Sequence, residues 1–144
     1  MGGHCTRSPR SACGRSFTSD GPNGVRGTLW DERDPSWSVP NATSIAATWD
    51  EDLAEATGRL IGANARQKGV HVLLAPTIGL HRSPLGGRNF EASSEDAYLT
   101  GRLASAFVRG VQSQGVAATA KHYVLNDSET QRRSHDVHVV GRAA

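Results

Sequence analysis

Lys68-Gly69-Val70-His71-Val72-Leu73-Leu74-Ala75-Pro76 is the stretch that decides the fold. A glycine stands where a helix needs a left-handed residue to end, a short apolar run follows from Val70 to Ala75, and a proline closes it. That is the pattern of a helix stopped by a tight turn and continued as a buried strand. Upstream, Thr48-Trp49-Asp50-Glu51 has capping-box spacing, with Thr48 as N-cap and Glu51 at the third helical position. Leu53, Ala56, Leu60, Ile61 and Asn64 then fall near one helical face. Downstream the plan repeats. Ser93 and Asp96 form a capping pair, Leu99, Leu103, Ala106, Phe107 and Val111 supply the apolar stripe, and Gly115 ends the helix before a second short apolar strand from Val116 to Ala120. The two stop signals, Lys68-Gly69-Val70 and Gln114-Gly115-Val116, lie 46 residues apart.

A helix, a tight glycine turn and a buried strand, used twice, predict an α/β fold of β/α units with parallel strands. In such folds the chemistry sits in the loops leaving the C-terminal ends of the strands. Those loops begin at Pro76 and Lys121 and hold nearly all the unusual polar residues. A closed eight-unit barrel needs roughly 200 residues or more, so 144 residues fit either a smaller open sheet or part of a larger protein.

Composition agrees with an incomplete or loop-rich domain. Apolar residues make up 37% of the chain and 16 residues are glycine, which raises the cost of ordering the backbone. A net charge of +2 argues against a nucleic-acid or membrane-surface protein. Before Asp20 stand Arg7, Arg10 and Arg15 and no acid, which fits a solvated arm and also the composition of a transit peptide. No apolar run reaches the ~18 residues of a membrane span and no export signal follows Met1, so a cytoplasmic location is expected. Cys5 and Cys13 set no redox compartment, and His4 beside Cys5 has no second ligand cluster at zinc-site spacing.

Two loops carry candidate chemistry. His81-Arg82-Ser83-Pro84-Leu85-Gly86-Gly87-Arg88-Asn89-Phe90-Glu91 turns on two glycines and then presents a guanidinium fork. Such a fork suits a carboxylate, a phosphate or a pair of sugar hydroxyls, and equally an ion pair with Glu91 or Glu95 that holds the loop together. The second loop opens Lys121-His122-Tyr123 and continues through Asn126-Asp127-Ser128-Glu129 to Arg132. Lys121 and His122 are adjacent, so both face one ligand only if the backbone turns between them. Ser134-His135-Asp136 is no catalytic triad, since triad members meet in space rather than in sequence. His135 and His138 fit a polar surface better than a metal site, and no metal and no cofactor is expected. The sequons Asn41-Ala42-Thr43 and Asn126-Asp127-Ser128 mean little without an export signal.

Taken together, Ser19-Asp20-Gly21-Pro22-Asn23-Gly24-Val25-Arg26-Gly27, His81 to Glu91, Ser94-Glu95-Asp96, and Ala118-Thr119-Ala120-Lys121-His122-Tyr123 with Asn126-Asp127 and Glu129 resemble family 3 glycoside hydrolases of the β-glucosidase type, in order and in spacing. The resemblance implies part of a (β/α)8 TIM-type barrel, the first portion of a family 3 N-terminal domain, over residues 19–133. A divergent arm over 1–18 and a divergent tail over 134–144 flank it. It implies that Asp20 accepts from the hydroxyls of a terminal sugar and that Arg88, Lys121 and His122 donate to the same sugar. Arg132 stands near that pocket, and Glu91 and Glu129 are partners for these cations.

The chemistry implied is retaining hydrolysis of a terminal β-linked glucosyl or xylosyl residue, with a β-glucoside or oligosaccharide as substrate. In the family the nucleophilic aspartate sits in a Ser-Asp-Trp or Thr-Asp-Trp segment, which does not occur here. The acid/base glutamate belongs to a second domain. The chain is therefore expected to carry sugar-binding residues without the catalytic carboxylates, and to need the rest of the barrel and the second domain. Ser93 and Ala97 stand where the family has an aromatic and a proline. The alternative reading is a small non-catalytic carbohydrate- or anion-binding module using Asp20, Arg88 and Lys121.

Overall fold

The computed structural model describes residues 15–28, 31–123 and 125–139. His4, Cys5, Arg7, Arg10, Cys13 and the segment from Val140 to Ala144 lie outside the described residues. Three short parallel strands, β1 (Thr18–Asp20), β2 (Val72–Leu74) and β3 (Ala117–Ala118), form one sheet in the order β1-β2-β3. The chain crosses from β1 to β2 through a one-turn helix α1 (Ala42–Ala46) and a long helix α2 (Glu51–Gln67), and from β2 to β3 through a 3₁₀ turn at Asn89–Glu91 and helix α3 (Ala97–Gln112). Parallel pairing puts Asp20 opposite Leu74 and Leu73 opposite Ala118, so the strands end side by side.

Both glycine stops hold the predicted geometry: Gly69 and Gly115 have φ of +70° and +75°, the left-handed region that a side chain disfavours. The caps differ from the expected ones. Asp50, not Thr48, caps α2 by accepting from the Leu53 N–H at 3.0 Å. Thr48 instead donates its hydroxyl to the Ile45 carbonyl at 2.6 Å, closing the end of α1. Asp96, not Ser93, caps α3 by accepting from Leu99 N–H at 2.8 Å. A carboxylate at the helix N-terminus meets both the unpaired amides and the positive end of the dipole.

The apolar stripe of α2 is turned in part from its expected face. Ile61 and Asn64 are buried as expected, but Leu53, Ala56 and Leu60 are exposed, and Ala54, Thr57, Gly58, Gly62 and Ala65 are buried in their place. Small residues explain the rotation, because they let α2 and α3 touch backbone to backbone. A Cβ added at Gly58 would stand 2.2 Å from the Phe107 carbonyl oxygen, and one at Gly110 would stand 2.1 Å from that of Glu55. Along the solvent rim of this seam Arg102 pairs with Glu51 at 2.8 Å and Arg109 with Glu55 at 3.2 Å. In α3, by contrast, Leu103, Ala106, Phe107 and Val111 are buried as expected.

Ile61, Ala65, Val70, Leu73, Ala75, Phe107, Val111 and Val116 form the main core between the helices and the sheet, with Val25 joining from the loop after β1. Full burial of residues such as Ile61, Leu73 and Val111 contributes about 1.5–3 kcal/mol each. β1 has no counterpart in the hydrophobic pattern and starts at Thr18, inside the span assigned to the arm. Pairing makes it a strand: the Phe17 carbonyl accepts from the N–H groups of His71 at 2.8 Å and Val72 at 3.1 Å. The Phe17 ring stacks on the His71 imidazole with centroids 5.9 Å apart. Among the described residues no helix is long and apolar enough to cross a membrane.

Candidate functional site

Three strand ends bring the polar residues together. Asp20 is the last residue of β1. Beyond β2 and β3 the two chains stay paired: Thr119 N–H donates to the Leu73 carbonyl at 2.9 Å, Lys121 N–H to the Pro76 carbonyl at 2.9 Å, and Ile78 N–H to the Lys121 carbonyl at 2.6 Å. A bridge between Thr77 and Lys121 extends the sheet by that much. Lys121 therefore leaves the sheet beyond the level of Asp20, whose register partner is Leu74, and its Nζ donates to Asp20 Oδ1. The Ala75–Pro76 and Lys121–His122 peptides are both cis.

Apart from this pair, a second set of ion pairs runs through Glu91, Arg88, Glu129 and Arg132. Arg88 Nε pairs with Glu91 Oε1, whose other oxygen accepts from the buried Thr77 hydroxyl at 3.3 Å. Arg88 Nη1 lies 3.5 Å from Glu129, and Glu129 lies 3.6 Å from Arg132 Nε. Arg132 is the outermost member, with 63% of its side chain exposed. Arg88 has Glu91 rather than Glu95 as its ion-pair partner.

The charges are mutually supporting. Burial opposes ionisation of Asp20, but the hydrogen bond and charge of Lys121, with Arg26 farther away, outweigh it and hold the carboxyl below its ordinary value. Burial and the cations of Arg88 and Lys121 push the His122 imidazole below its ordinary value, against a smaller pull from Glu91 and Asp20. His122 thus lies in the field of the same cluster as Lys121, and a neutral imidazole there can donate from one ring nitrogen and accept at the other.

Two kinds of space adjoin these residues. A cavity of about 20 Å³ lies between Thr77, Arg88, Glu91, His122 and Glu129, room for about one water. An open cleft of about 330 Å³ begins at Asp20 and Glu91 and runs outward past Arg26 to Trp37 and Phe90. Its size falls in the range of small-molecule sites. The loop between the strands is fastened from below, where His81 Nε2–H donates to the carbonyls of Asn89 at 2.7 Å and Ala92 at 3.1 Å.

Several residues of the site were not singled out in the sequence. Arg26 approaches Asp20 Oδ2 at 4.0 Å, and its signal was its place in the Ser19 to Gly27 motif. Thr77 had no signal beyond following Pro76. Arg82 pairs with Asp127 at 2.6 Å and ties the two loops together, which nothing in the spacing of either loop foretells. His138 lies 3.2 Å from Asp136 with both side chains exposed, and among the described residues no three His, Cys, Asp or Glu side chains gather.

Residues 23–140 match the model of the glycosyl hydrolase family 3 N terminal domain. The chain belongs to glycosyl hydrolase family 3. It is 48% identical over 126 residues to β-glucosidase B of Emericella nidulans, an alignment that covers 88% of this chain and 15% of that protein. It superposes on the structure of β-glucosidase 3B from Thermotoga neapolitana in complex with glucose with a TM-score of 0.73 and 46% identity, covering 78% of this chain and 16% of that one. For the β-glucosidase from Kluyveromyces marxianus in complex with glucose the TM-score is 0.76 and the identity 48%, over 79% of this chain and 14% of that one. The chain thus spans less than a fifth of the length of each of these family 3 relatives.

Proposed function

We propose that this family 3 chain is the first part of the (β/α)8 barrel of a retaining, exo-acting β-glucosidase, and that it supplies one wall of the pocket for the terminal glucosyl ring. The observation that carries the reading is the Lys121–Asp20 pair at the C-terminal ends of β3 and β1, where (β/α) folds place their chemistry. Asp20 accepts from two neighbouring sugar hydroxyls while Lys121 and His122 donate to the same ring. Each hydrogen bond to a charged group contributes roughly 1.5–3 kcal/mol. Glu91 and Glu129 hold Arg88 beside the ring, and Arg132 extends the line outward. The nucleophilic and acid/base carboxylates come from parts of such an enzyme outside these 144 residues.

Two further features support a larger barrel. The sheet has two open edges, β1 and β3. A groove of about 600 Å³ runs along Gly101, Ala104 and Val108 of α3 to Ala120 and Leu125, which is where a following β/α unit would lie. The names of the relatives described above and the two glucose complexes point to glucose as the ring.

The test is glucose binding by the chain, measured by ligand-observed NMR, with thermal unfolding in parallel for the Asp20→Ala variant. Loss of glucose binding with the melting temperature nearly unchanged supports the reading. Binding that survives while the melting temperature drops makes Asp20 a turn residue and defeats it.

A further inference from the structure

We propose that the chain associates with a second copy of itself through the uncovered side of α2, the two helices running antiparallel about a two-fold axis. The inference does not depend on the glucosyl-pocket reading.

Along α2, Leu53, Ala56, Leu60 and Ala63 recur at steps of three, four and three residues, the spacing at which one helix presents a seam to another. The contact with α3 uses a different side, made of Ala54, Gly58 and Gly62, and leaves this seam without cover. Leu53 is 42% exposed and Leu60 44%, while Ala56 is exposed and Ala63 half-buried. Large and small residues alternate along it. In a parallel pair each layer sets a residue against its own copy, Leu on Leu and Ala on Ala, which leaves the alanine layers underpacked. Antiparallel pairing sets Leu53 against Ala63 of the second copy and Leu60 against its Ala56, so each layer holds one large and one small side chain.

Charge selects the same arrangement. Asp52 near the start of α2 and Arg66 near its end flank the seam, both exposed, and neither side chain has an ion-pair partner among the described residues. Antiparallel pairing brings Asp52 of each copy towards Arg66 of the other, twice, and sets the two helix dipoles in opposition. A helix with opposite charges at its two ends is complementary to its own copy, which points to a two-fold pair rather than to a different protein. Arg59 meets its own copy at the middle of the seam. There Glu55 offsets the like charge, with Oε1 2.6 Å from Arg59 Nη1. From Leu53 to Ala63 the seam is about 15 Å long, so the dimer is weak, with a Kd on the order of 100 µM.

Sedimentation velocity of the 144-residue chain from about 10 µM to about 1 mM is the test. The parent shifts from monomer to dimer over that range. Leu60→Asp, at an exposed position, stays monomeric while its melting temperature in dilute solution matches the parent's. Asp52→Arg and Arg66→Asp each weaken association by about tenfold. The two changes in one chain restore it, although that double variant opposes the helix dipole at both ends, so the recovery comes from the paired charges. A parent that remains monomeric at the highest concentration overturns the proposal. A dimer that survives Leu60→Asp also overturns it and moves the contact to the open sheet edges, and a double variant no tighter than the single ones overturns the antiparallel arrangement.

Discussion

Lys121 and Asp20, 101 residues apart in sequence, form an ion pair that joins the outer strands of the sheet at their C-terminal ends. Lys121 is 14% exposed and Asp20 35%, so the pair stands between a surface contact and a buried one. Lys121→Met and Asp20→Asn each leave a partly buried partner without its counter-charge. The double variant removes both charges at once. We expect the two single losses to exceed the loss in the double variant, with a coupling of about 1 kcal/mol. Chemical denaturation of the four proteins measures it, and additive losses would contradict the geometry.

His122 provides a prediction in pH. Its imidazole is pushed below its ordinary value by burial and by Arg88 and Lys121, so the folded state disfavours the protonated form. The stability this contributes is present above the unfolded pKa of about 6.5 and is lost as pH falls through the lower folded pKa. NMR titration of the histidine ring protons checks the sign. A His122 midpoint at or above the ordinary value would mean that the cations do not face it.

The seam between α2 and α3 predicts opposite outcomes for one substitution. Gly58→Ala and Gly110→Ala each drive a methyl group into the backbone of the facing helix, costing about 1–3 kcal/mol or more by overpacking. Gly101→Ala, in α3, meets nothing within 4 Å. It should stabilise the chain by up to about 1 kcal/mol through helix propensity. Denaturation midpoints read all three, and equal effects at Gly58 and Gly101 would show that the helices do not touch there.

The sequence displayed some of this readily. Gly69 and Gly115 betray their strands because a left-handed residue after an apolar helix admits few alternatives. The stripe of α3 is legible because Leu103, Phe107 and Val111 are large enough to mark a face. α2 is not, because its contact face is made of Ala54, Gly58 and Gly62, which carry no hydrophobic signal, while Leu53 and Leu60 on the other side do. β1 is invisible for a related reason: Thr18-Ser19-Asp20 becomes a strand by pairing with β2, not by burying an apolar row. In the site, the motifs named Asp20, Arg88, Lys121 and His122, and two separate sets of ion pairs, Lys121 with Asp20 and Arg88 with Glu91 and Glu129, hold the charged ones. Thr77 and the Arg82–Asp127 tie depend on loop conformation, which spacing does not encode.

The last prediction is that the chain alone hydrolyses no glycoside. Retaining hydrolysis requires one carboxylate as nucleophile and one carboxyl kept protonated as acid, facing each other across the bond. A carboxyl serves as the acid when its surroundings raise its pKa, and Asp20 is moved in the opposite direction by Lys121 and Arg26. Glu91 and Glu129 are committed to Arg88 and Arg132, which suits holding cations rather than attacking carbon. Incubating the purified chain with an aryl β-glucoside at about pH 5 to pH 7 should release aglycone no faster than buffer does. Turnover that persists through purification and disappears in Asp20→Ala would make the chain an enzyme in its own right and place a catalytic carboxylate where we place only a sugar contact.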